Sequence, residues 1–160
     1  MMLSTKGRYA VMAMVDLATQ PQEKPVGLAA IADRQEIPLA YLEQIFAKLK
    51  RAGIVTSNRG PGGGYRLGKD AARISIASII AASEEDISIT RCHGSSGSEG
   101  CMKSTKARCI THDLWDGLER QIEHYLGNLS LADVCGRKVQ EKFPVPTMFA
   151  EIIGGGSAHA

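Results

Sequence analysis

The hydrophobic and polar positions of the first fifty-odd residues follow a helical period in three successive segments. The first segment comes directly after Ser4 and Thr5, and its predicted inward stripe contains Tyr9, Met12, Ala13, Val15, Asp16 and Leu17. The second segment is VGLAAIADRQEI, which a proline ends at position 38. The third, PLAYLEQIFAKLKRAGIV, has an i, i+3, i+4, i+7 stripe formed by Leu42, Ile45, Phe46 and Leu49. Gly53 follows basic residues and is a plausible C-cap.

The period then changes from helical to alternating. Residues 54–57 and 65–67 are typical of two short strands around the turn NRGPGGG, and residues 70–83 of a further helix that packs on this hairpin. Two helices joined by a short turn and followed by a basic, glycine-rich hairpin predict a winged helix-turn-helix domain over residues 1–83. The alternative is another small α+β domain that contains a hairpin.

A long helix is predicted from Ser104 to Leu129. Its apolar stripe is too long for this small domain to cover alone, so a second copy of the chain is expected to pack on it within a dimerisation region, residues 104–135. The predicted interface residues are Leu114, Trp115, Leu118, Ile122, Tyr125 and Leu126. Burial within one chain is the alternative, and residues 136–160 are expected to form a C-terminal tail. The predicted fold class is mainly α, an α+β winged helix-turn-helix with a long C-terminal dimerisation helix.

Composition and charge narrow the function. The chain has 160 residues, 44% of them hydrophobic, which suffices for a core without help from a metal. No apolar run approaches the roughly 20 residues that span a bilayer, and Asp16 interrupts the N-terminal apolar stretch, so a cytoplasmic protein with no membrane association is expected. Residues 1–69 hold ten Lys/Arg against five Asp/Glu, whereas residues 70–160 hold nine against twelve. The basic first part suggests a polyanionic partner.

The expected polyanion is double-stranded DNA. The second helix of a helix-turn-helix enters the major groove with its N-terminal residues toward the base edges. Gln44 can pair with adenine, Glu43 can accept a hydrogen bond from cytosine, and Arg59 suits a narrow, electronegative minor groove. The turn glycines lack a Cβ and allow a close approach of the backbone. The predicted DNA-contacting residues are Leu39, Ala40, Tyr41, Glu43, Gln44, Lys48, Arg59, Gly60, Pro61 and Gly64.

A polar segment, residues 84–109, holds three of the four cysteines. Cys92, Cys101 and Cys109 are separated by eight and seven residues, and two residues separate Cys109 from His112. These gaps do not match the paired CxxC knuckles of structural zinc. Soft thiolates with one imidazole suit an iron–sulfur cluster or zinc, so cluster, zinc and no metal all remain open on spacing alone. His93 is a further possible ligand, and Cys135 is expected to be a packed or spare thiol.

Enzymatic activity is not expected from this sequence. It contains no Ser/His/Asp set and no paired carboxylates in a credible pocket. The GPGGG turn also lacks the Lys-Ser/Thr that completes a phosphate-binding loop.

Four motifs resemble those of the IscR-type winged-helix regulators of iron–sulfur cluster biogenesis. They are LSTKGRYAVMAMVDLA, LAYLEQIFAKLKRAGIV, RGPGGGYRLGKDA and TRC…C…C-x-TH-x-LW, and the resemblance extends over residues 1 to about 135. It implies a homodimer with crossing long helices that binds palindromic operators and receives a cluster from the iron–sulfur assembly machinery. It also implies a 2Fe–2S cluster held by Cys92, Cys101, Cys109 and His112.

The resemblance further implies a role in sensing cluster supply. The cluster-bound form would repress the cluster-assembly operon, and the cluster-free form would bind a second class of operator. Glu43 would discriminate between operators and Arg59 would read the minor groove. The chain departs from the family pattern in its longer gaps before Cys101 and Cys109 and in Ala40, where a serine is frequent. Related regulators respond to nitric oxide or iron, and a zinc-bound dimeric repressor is a further alternative.

Overall fold

The computed structural model describes residues 5–83 and 110–144. Its elements are α1 (Thr5–Thr19), α2 (Leu28–Gln35), α3 (Leu39–Arg51), β1 (Val55–Asn58), β2 (Gly64–Leu67), α4 (Ile76–Ala82), α5 (His112–Asn128), α6 (Leu131–Cys135) and α7 (Val139–Lys142). A short 3₁₀ helix, Ala71–Arg73, precedes α4. The three predicted N-terminal helices and the two strands are therefore confirmed.

The core lies where α1, α3 and α4 meet. The predicted stripe of α3 is wholly buried, because α1, α2 and α4 each pack against this helix. On α1 the prediction was wrong for Met12, which is 38% exposed. Met14 is fully buried instead. The inward stripe of α1 consists of Ala10, Ala13, Met14, Asp16 and Leu17, together with Gly7.

The hairpin is a two-stranded antiparallel sheet that pairs Val55 with Leu67 and Asn58 with Gly64. Residues 20–27, which connect α1 to α2, add a third, short strand-like contact. The amide of Val26 donates to the carbonyl of Tyr65 at 2.9 Å, and the amide of Tyr65 donates back at 2.8 Å. The wing is therefore joined along one edge to the connection that leads into the helix-turn-helix.

The predicted helix over residues 70–83 is interrupted. Asp70 caps the 3₁₀ helix by accepting from the amide of Ala72 at 2.8 Å, and Ser75 caps α4 by accepting from the amide of Ser78 at 3.1 Å. Two caps five residues apart favour two short helices over one. Helix α4 packs on α1, α3 and α5, so the expectation that it packs mainly on the wing was wrong.

Helix α5 begins later than predicted. Ile110 and Thr111 form a turn, so the described helix starts at His112, and residues 104–109 lie outside the described part of the chain. At its other end the chain is bonded to the start of α4. The amide of Ile76 donates to the carbonyl of Leu129, and the amide of Leu131 donates to the carbonyl of Ile74, each at 2.8 Å.

Helix α6 follows α5 closely and is five residues long. Its Ser130 and Asp133 form a reciprocal capping box, and Lys142 of α7 donates to Asp133 at 2.8 Å. The hydrogen bond from Lys142 has the largest effect and those from Ser130 come next, and together they hold the pKa of Asp133 well below its usual range. No helix among residues 5–83 and 110–144 combines the length and apolarity needed to cross a bilayer.

Candidate DNA-binding surface and metal centre

The recognition helix α3 is positioned by a tight turn after α2. Glu36 ends α2 in a left-handed conformation at φ 53°, and the buried Ile37 donates its amide to the carbonyl of Ala32 at 3.1 Å. Pro38 then caps α3, which suits a residue with fixed φ and no amide proton to leave unbonded. The buried side chain of Ile37 therefore anchors the turn between α2 and α3.

Four of the predicted DNA contacts lie exposed along the N-terminal half of α3. Leu39 is 41% exposed, and Ala40, Glu43 and Gln44 are exposed as well. They share one solvent face, opposite the buried stripe, so the structure brings them together. This face can enter a major groove that is wide enough for one helix.

Tyr41 and Lys48 lie on the flanks of that face and are half-buried. The ring of Tyr41 makes an edge-to-face contact with Tyr9 at 5.7 Å between centroids. The Nζ atom of Lys48 lies 3.5 Å from the carbonyl oxygen of Ser83. Lys50, further along α3, donates to the Oγ of Ser57 on β1 at 2.6 Å and so links this helix to the wing.

The tip of the wing exposes Arg59, Gly60 and Pro61 to solvent. Gly60 and Gly62 hold φ values of 104° and 74°, which side chains rarely adopt, so the turn requires glycine at both. Gly64 is different because a Cβ there would lie 2.4 Å from the carbonyl oxygen of Val26. Because Gly64 has no side chain, the wing can lie close to the connection between α1 and α2.

A buried carboxylate that the sequence analysis did not assign to a site joins α1 to α2. The Asp16 side chain is 4% exposed and accepts from Arg34 Nη2 at 2.6 Å and Arg34 Nε at 3.0 Å. Gln35 Nε2 donates to the same carboxylate at 2.8 Å. Burial alone would raise the pKa of Asp16, but the hydrogen bonds from Arg34 and Gln35 outweigh it and lower the pKa. The signal available in the sequence was an acidic residue within the apolar stripe of α1.

Of the four predicted metal ligands, the structure describes one. His112 is 7% exposed and is the first residue of α5. Cys92, Cys101 and Cys109 lie outside the described residues. The helix predicted from Ser104 would have put Cys109 and His112 on one face, but Ile110 and Thr111 form a turn. Within residues 5–83 and 110–144, no three His, Cys, Asp or Glu side chains gather as a metal site.

Cys135 is half-buried at the end of α6. Burial raises the pKa of its thiol, which therefore stays protonated at neutral pH. Metal ligation requires the thiolate, so these surroundings suit a packed thiol.

Helix α5 presents an apolar face that the described elements cover only in part. Leu114 is 64% exposed, and Trp115, Leu118 and Tyr125 are 40%, 37% and 37% exposed. The other two predicted interface residues, Ile122 and Leu126, are half-buried. Tyr125 also packs on Phe143 at 4.7 Å between ring centroids, so the C-terminal end of this face has a partner within the chain.

The arrangement defines the class of protein. The structure contains the parts of a winged helix-turn-helix regulator. They are a recognition helix with one face exposed to solvent, a glycine-rich wing with arginine at its tip, and the helix α5 with its partly exposed apolar face. The family model described as "Rrf2: Iron-dependent Transcriptional regulator" matches residues 3–137. The chain belongs to the Rrf2 family and is a DNA-binding transcriptional regulator of the IscR type.

Several named proteins resemble this chain over most of its length. The HTH-type transcriptional regulators IscR of Xenorhabdus nematophila and Photobacterium profundum are 51% and 48% identical to it. These matches cover 84% and 88% of this chain and 79% and 80% of the relatives. Among solved structures, T. potens IscR superposes with a TM-score of 0.67 at 33% identity, covering 93% of this chain and 96% of that one. CymR, the global cysteine regulator of B. subtilis, gives 0.70 at 30% identity and covers 86% and 98%.

Proposed function

We propose that this chain is a homodimeric sensor of iron–sulfur cluster status. In this proposal it binds palindromic operators through α3 and the wing and controls the genes of cluster assembly. A 2Fe–2S cluster, delivered by the assembly machinery, is held by Cys92, Cys101, Cys109 and His112. The observation that carries the proposal is the burial of His112 at the start of α5, next in the chain to the cysteine segment.

The DNA contacts of the proposal follow from the exposed surfaces. Glu43 and Gln44 face solvent on α3 and can address base edges, where a carboxylate accepts from cytosine and is repelled by guanine acceptors. Arg59 lies at the exposed wing tip and can enter the minor groove. Contacts by Leu39, Ala40, Gly60 and Pro61 belong to the same two surfaces.

Dimerisation is supported by the length of α5. Its 17 residues extend for about 26 Å, whereas the seven residues of α4 extend for about 10 Å. The shorter α4 cannot cover the whole of α5, and Leu114, Trp115 and Leu118 are exposed. A second copy that packs there would bury three large apolar side chains, each stabilising the dimer by about 1 to 2 kcal/mol at this partial exposure.

The donor set fits an iron–sulfur cluster. Three thiols and one imidazole are soft and borderline ligands, and a buried imidazole is shielded from competing water. When bound, such a cluster supplies a redox-active crosslink between the cysteine segment and α5. Imidazole binds more weakly than thiolate and can be protonated, so a site with one histidine ligand suits reversible loading.

The residues of the chain connect the proposed cluster site to the DNA-binding domains of the proposed dimer. Because His112 is the first residue of α5, whatever fixes its imidazole also fixes the start of that helix. The other end of α5 is bonded to α4 through Leu129 and Ile76. In a dimer held together by α5, the separation of the two DNA-binding domains therefore depends on the position and orientation of α5. A ligand that favours one arrangement shifts the population toward it.

The test combines spectroscopy with DNA binding. Anaerobically purified protein is expected to show visible absorption with two iron and two sulfide per protomer, the content of one 2Fe–2S cluster. His112→Ala is expected to change that spectrum, whereas His124→Ala, an exposed histidine on the same helix, leaves it unchanged. Cys135→Ala serves as the matched thiol control. A colourless protein that contains zinc, or no metal, would contradict the sensor proposal.

Operator binding is then compared by gel shift across salt concentrations for wild type and Cys92→Ala. The slope of log affinity against log salt reports phosphate contacts at about 0.9 per contact. A change in operator preference between the two proteins supports the coupling. If wild type and Cys92→Ala bind every duplex tested with equal affinity, the cluster does not control DNA binding and only the function of a dimeric repressor remains.

A further inference from the structure

The wing is attached to the rest of the DNA-binding domain through its inner face, one edge and its outer face. Tyr65 projects from the inner face of β2 and packs edge-to-face on Phe46 at 4.9 Å between ring centroids. Val26 bonds to Tyr65 along the edge. Because side chains alternate along a strand, Arg66 projects from the outer face. A two-stranded hairpin is marginal by itself, so these attachments decide where its tip lies.

Arg66 makes a specific contact across that outer face. Its Nη2 donates to the backbone carbonyl of Glu23 at 2.6 Å, over 43 residues of sequence. Glu23 lies in the connection between α1 and α2, three residues before the Val26 contact. The guanidinium therefore ties the wing to this connection at a second point.

The contact is held at some cost. The Nε atom of Arg66 is buried and has no hydrogen-bond partner among the described residues. A buried N–H without a partner is unfavourable, so the other contacts of the side chain must outweigh that cost. The position of this guanidinium is consequently determined by the fold around it.

We infer that Arg66 is a positioning residue of the DNA-binding surface, which fixes the angle of the wing and thereby the approach of Arg59 to the minor groove. The inference depends on the proposed wing contact of Arg59 with DNA. Arg66 acts on DNA through Arg59, since its own guanidinium is engaged with the protein backbone. Two attachment points, one at Val26 and one at Glu23, prevent the hairpin from pivoting about its edge.

The experiment is a double-mutant cycle with two palindromic duplexes, which carry A·T or G·C pairs at the step beneath the wing. The variants are Arg59→Ala, Arg66→Met and their combination. Arg59→Ala is expected to weaken binding about fivefold to tenfold and to remove the preference for A·T. Arg66→Met, which keeps the apolar stem, is expected to show most of the same loss. The combination should bind no more weakly than Arg59→Ala alone.

Two controls separate positioning from charge and from stability. Arg66→Lys keeps the positive charge and a donor, so it should restore at least half of the lost A·T preference. Arg73→Met removes an equal charge from the exposed 3₁₀ helix and should leave the preference unchanged. Thermal midpoints of all variants identify any that fail to fold, and for such a variant the Arg66→Lys measurement decides.

The outcomes distinguish the two ideas. If Arg59→Ala binds both duplexes as the wild type does, the proposed wing contact is wrong and the role of Arg66 falls with it. If Arg59→Ala loses the preference but Arg66→Met retains it, the wing contact stands and the positioning role is refuted. Losses that multiply in the combined variant would also refute it, because they mean independent contributions.

Discussion

Replacing Arg34 with methionine tests the buried ion pair between α1 and α2. The substitution removes the guanidinium from the Asp16 carboxylate, whose side chain is 4% exposed, and leaves the hydrogen bond from Gln35 Nε2 in place. Methionine keeps an apolar stem of similar length, so the packing of the side chain is little changed. The perturbation is therefore the loss of one cation from a buried anion.

The expected cost is about 2 to 3 kcal/mol of unfolding free energy at pH 7. Removing one partner of a fully buried pair costs about 3 to 5 kcal/mol, and the lower figure applies because Arg34 is 40% exposed and water can reach the site. Replacing both residues, as in Asp16→Leu with Arg34→Met, removes the unpaired charge and should recover part of the loss.

The cost should depend on pH in a definite direction. In the wild type the pKa of Asp16 is lowered, because the hydrogen bonds and charge of Arg34 and the hydrogen bond of Gln35 outweigh burial. Its contribution is present above the unfolded pKa of about 3.9 and is lost as pH falls through the folded value. Without Arg34, burial raises the pKa, so acidification relieves the penalty. The difference between wild type and variant should shrink as pH falls below neutrality toward 4.

Urea denaturation at several pH values and one protomer concentration measures these differences. Arg73→Met is the matched control, because that arginine is exposed and should change stability by less than about 0.5 kcal/mol. A difference for Arg34→Met that is within 0.5 kcal/mol of wild type, or that grows on acidification, would refute the reasoning.

Three further results are expected. Gly63→Ala should destabilise the wing by about 1 to 3 kcal/mol, because the new Cβ would lie 2.4 Å from the carbonyl oxygen of Asn58. Gly127→Ala, in open space on α5, should instead stabilise by up to about 1 kcal/mol; thermal unfolding measures both, and equal signs would contradict the geometry. Leu118→Glu should shift the protein from dimer to monomer in sedimentation velocity at micromolar concentration, and an unchanged dimer would place the interface elsewhere. Cys135 should react slowly with iodoacetamide at pH 7 in folded protein and readily in urea, since burial raises its pKa; equal rates would contradict this.

The sequence predicted best those elements whose partners lie nearby in the chain. The stripe of α3 was identified correctly because its four residues follow one i, i+3, i+4, i+7 pattern, and α2 and β1, which both contact α3, are its neighbours in the chain. The phase of α1 was harder, since Met12 and Met14 are equally apolar and only packing against α3 and α4 decides which one is buried.

Other features depended on three-dimensional contacts or on weak local signals. The break before α4 has a local cause in the caps Asp70 and Ser75, which a continuous apolar pattern obscured. The pairing of Asp16 with Arg34 joins residues 18 apart, and no spacing rule predicts it. Likewise, residue types indicated which side chains suit a metal, but closeness in space does not follow from gaps of eight and seven residues.

Two backbone hydrogen bonds between residues 74–76 and 129–131 join the end of α5 to the start of α4 and stiffen that junction. Over a length of about 26 Å, a shift of about 4 Å at His112 corresponds to a tilt of about 10°. A head bonded to the other end turns through the same angle. In the proposed dimer such a rotation changes the spacing of the two recognition helices, which must match half-sites about 34 Å apart. Leverage of this size lets a small local change alter which operators both heads can occupy together.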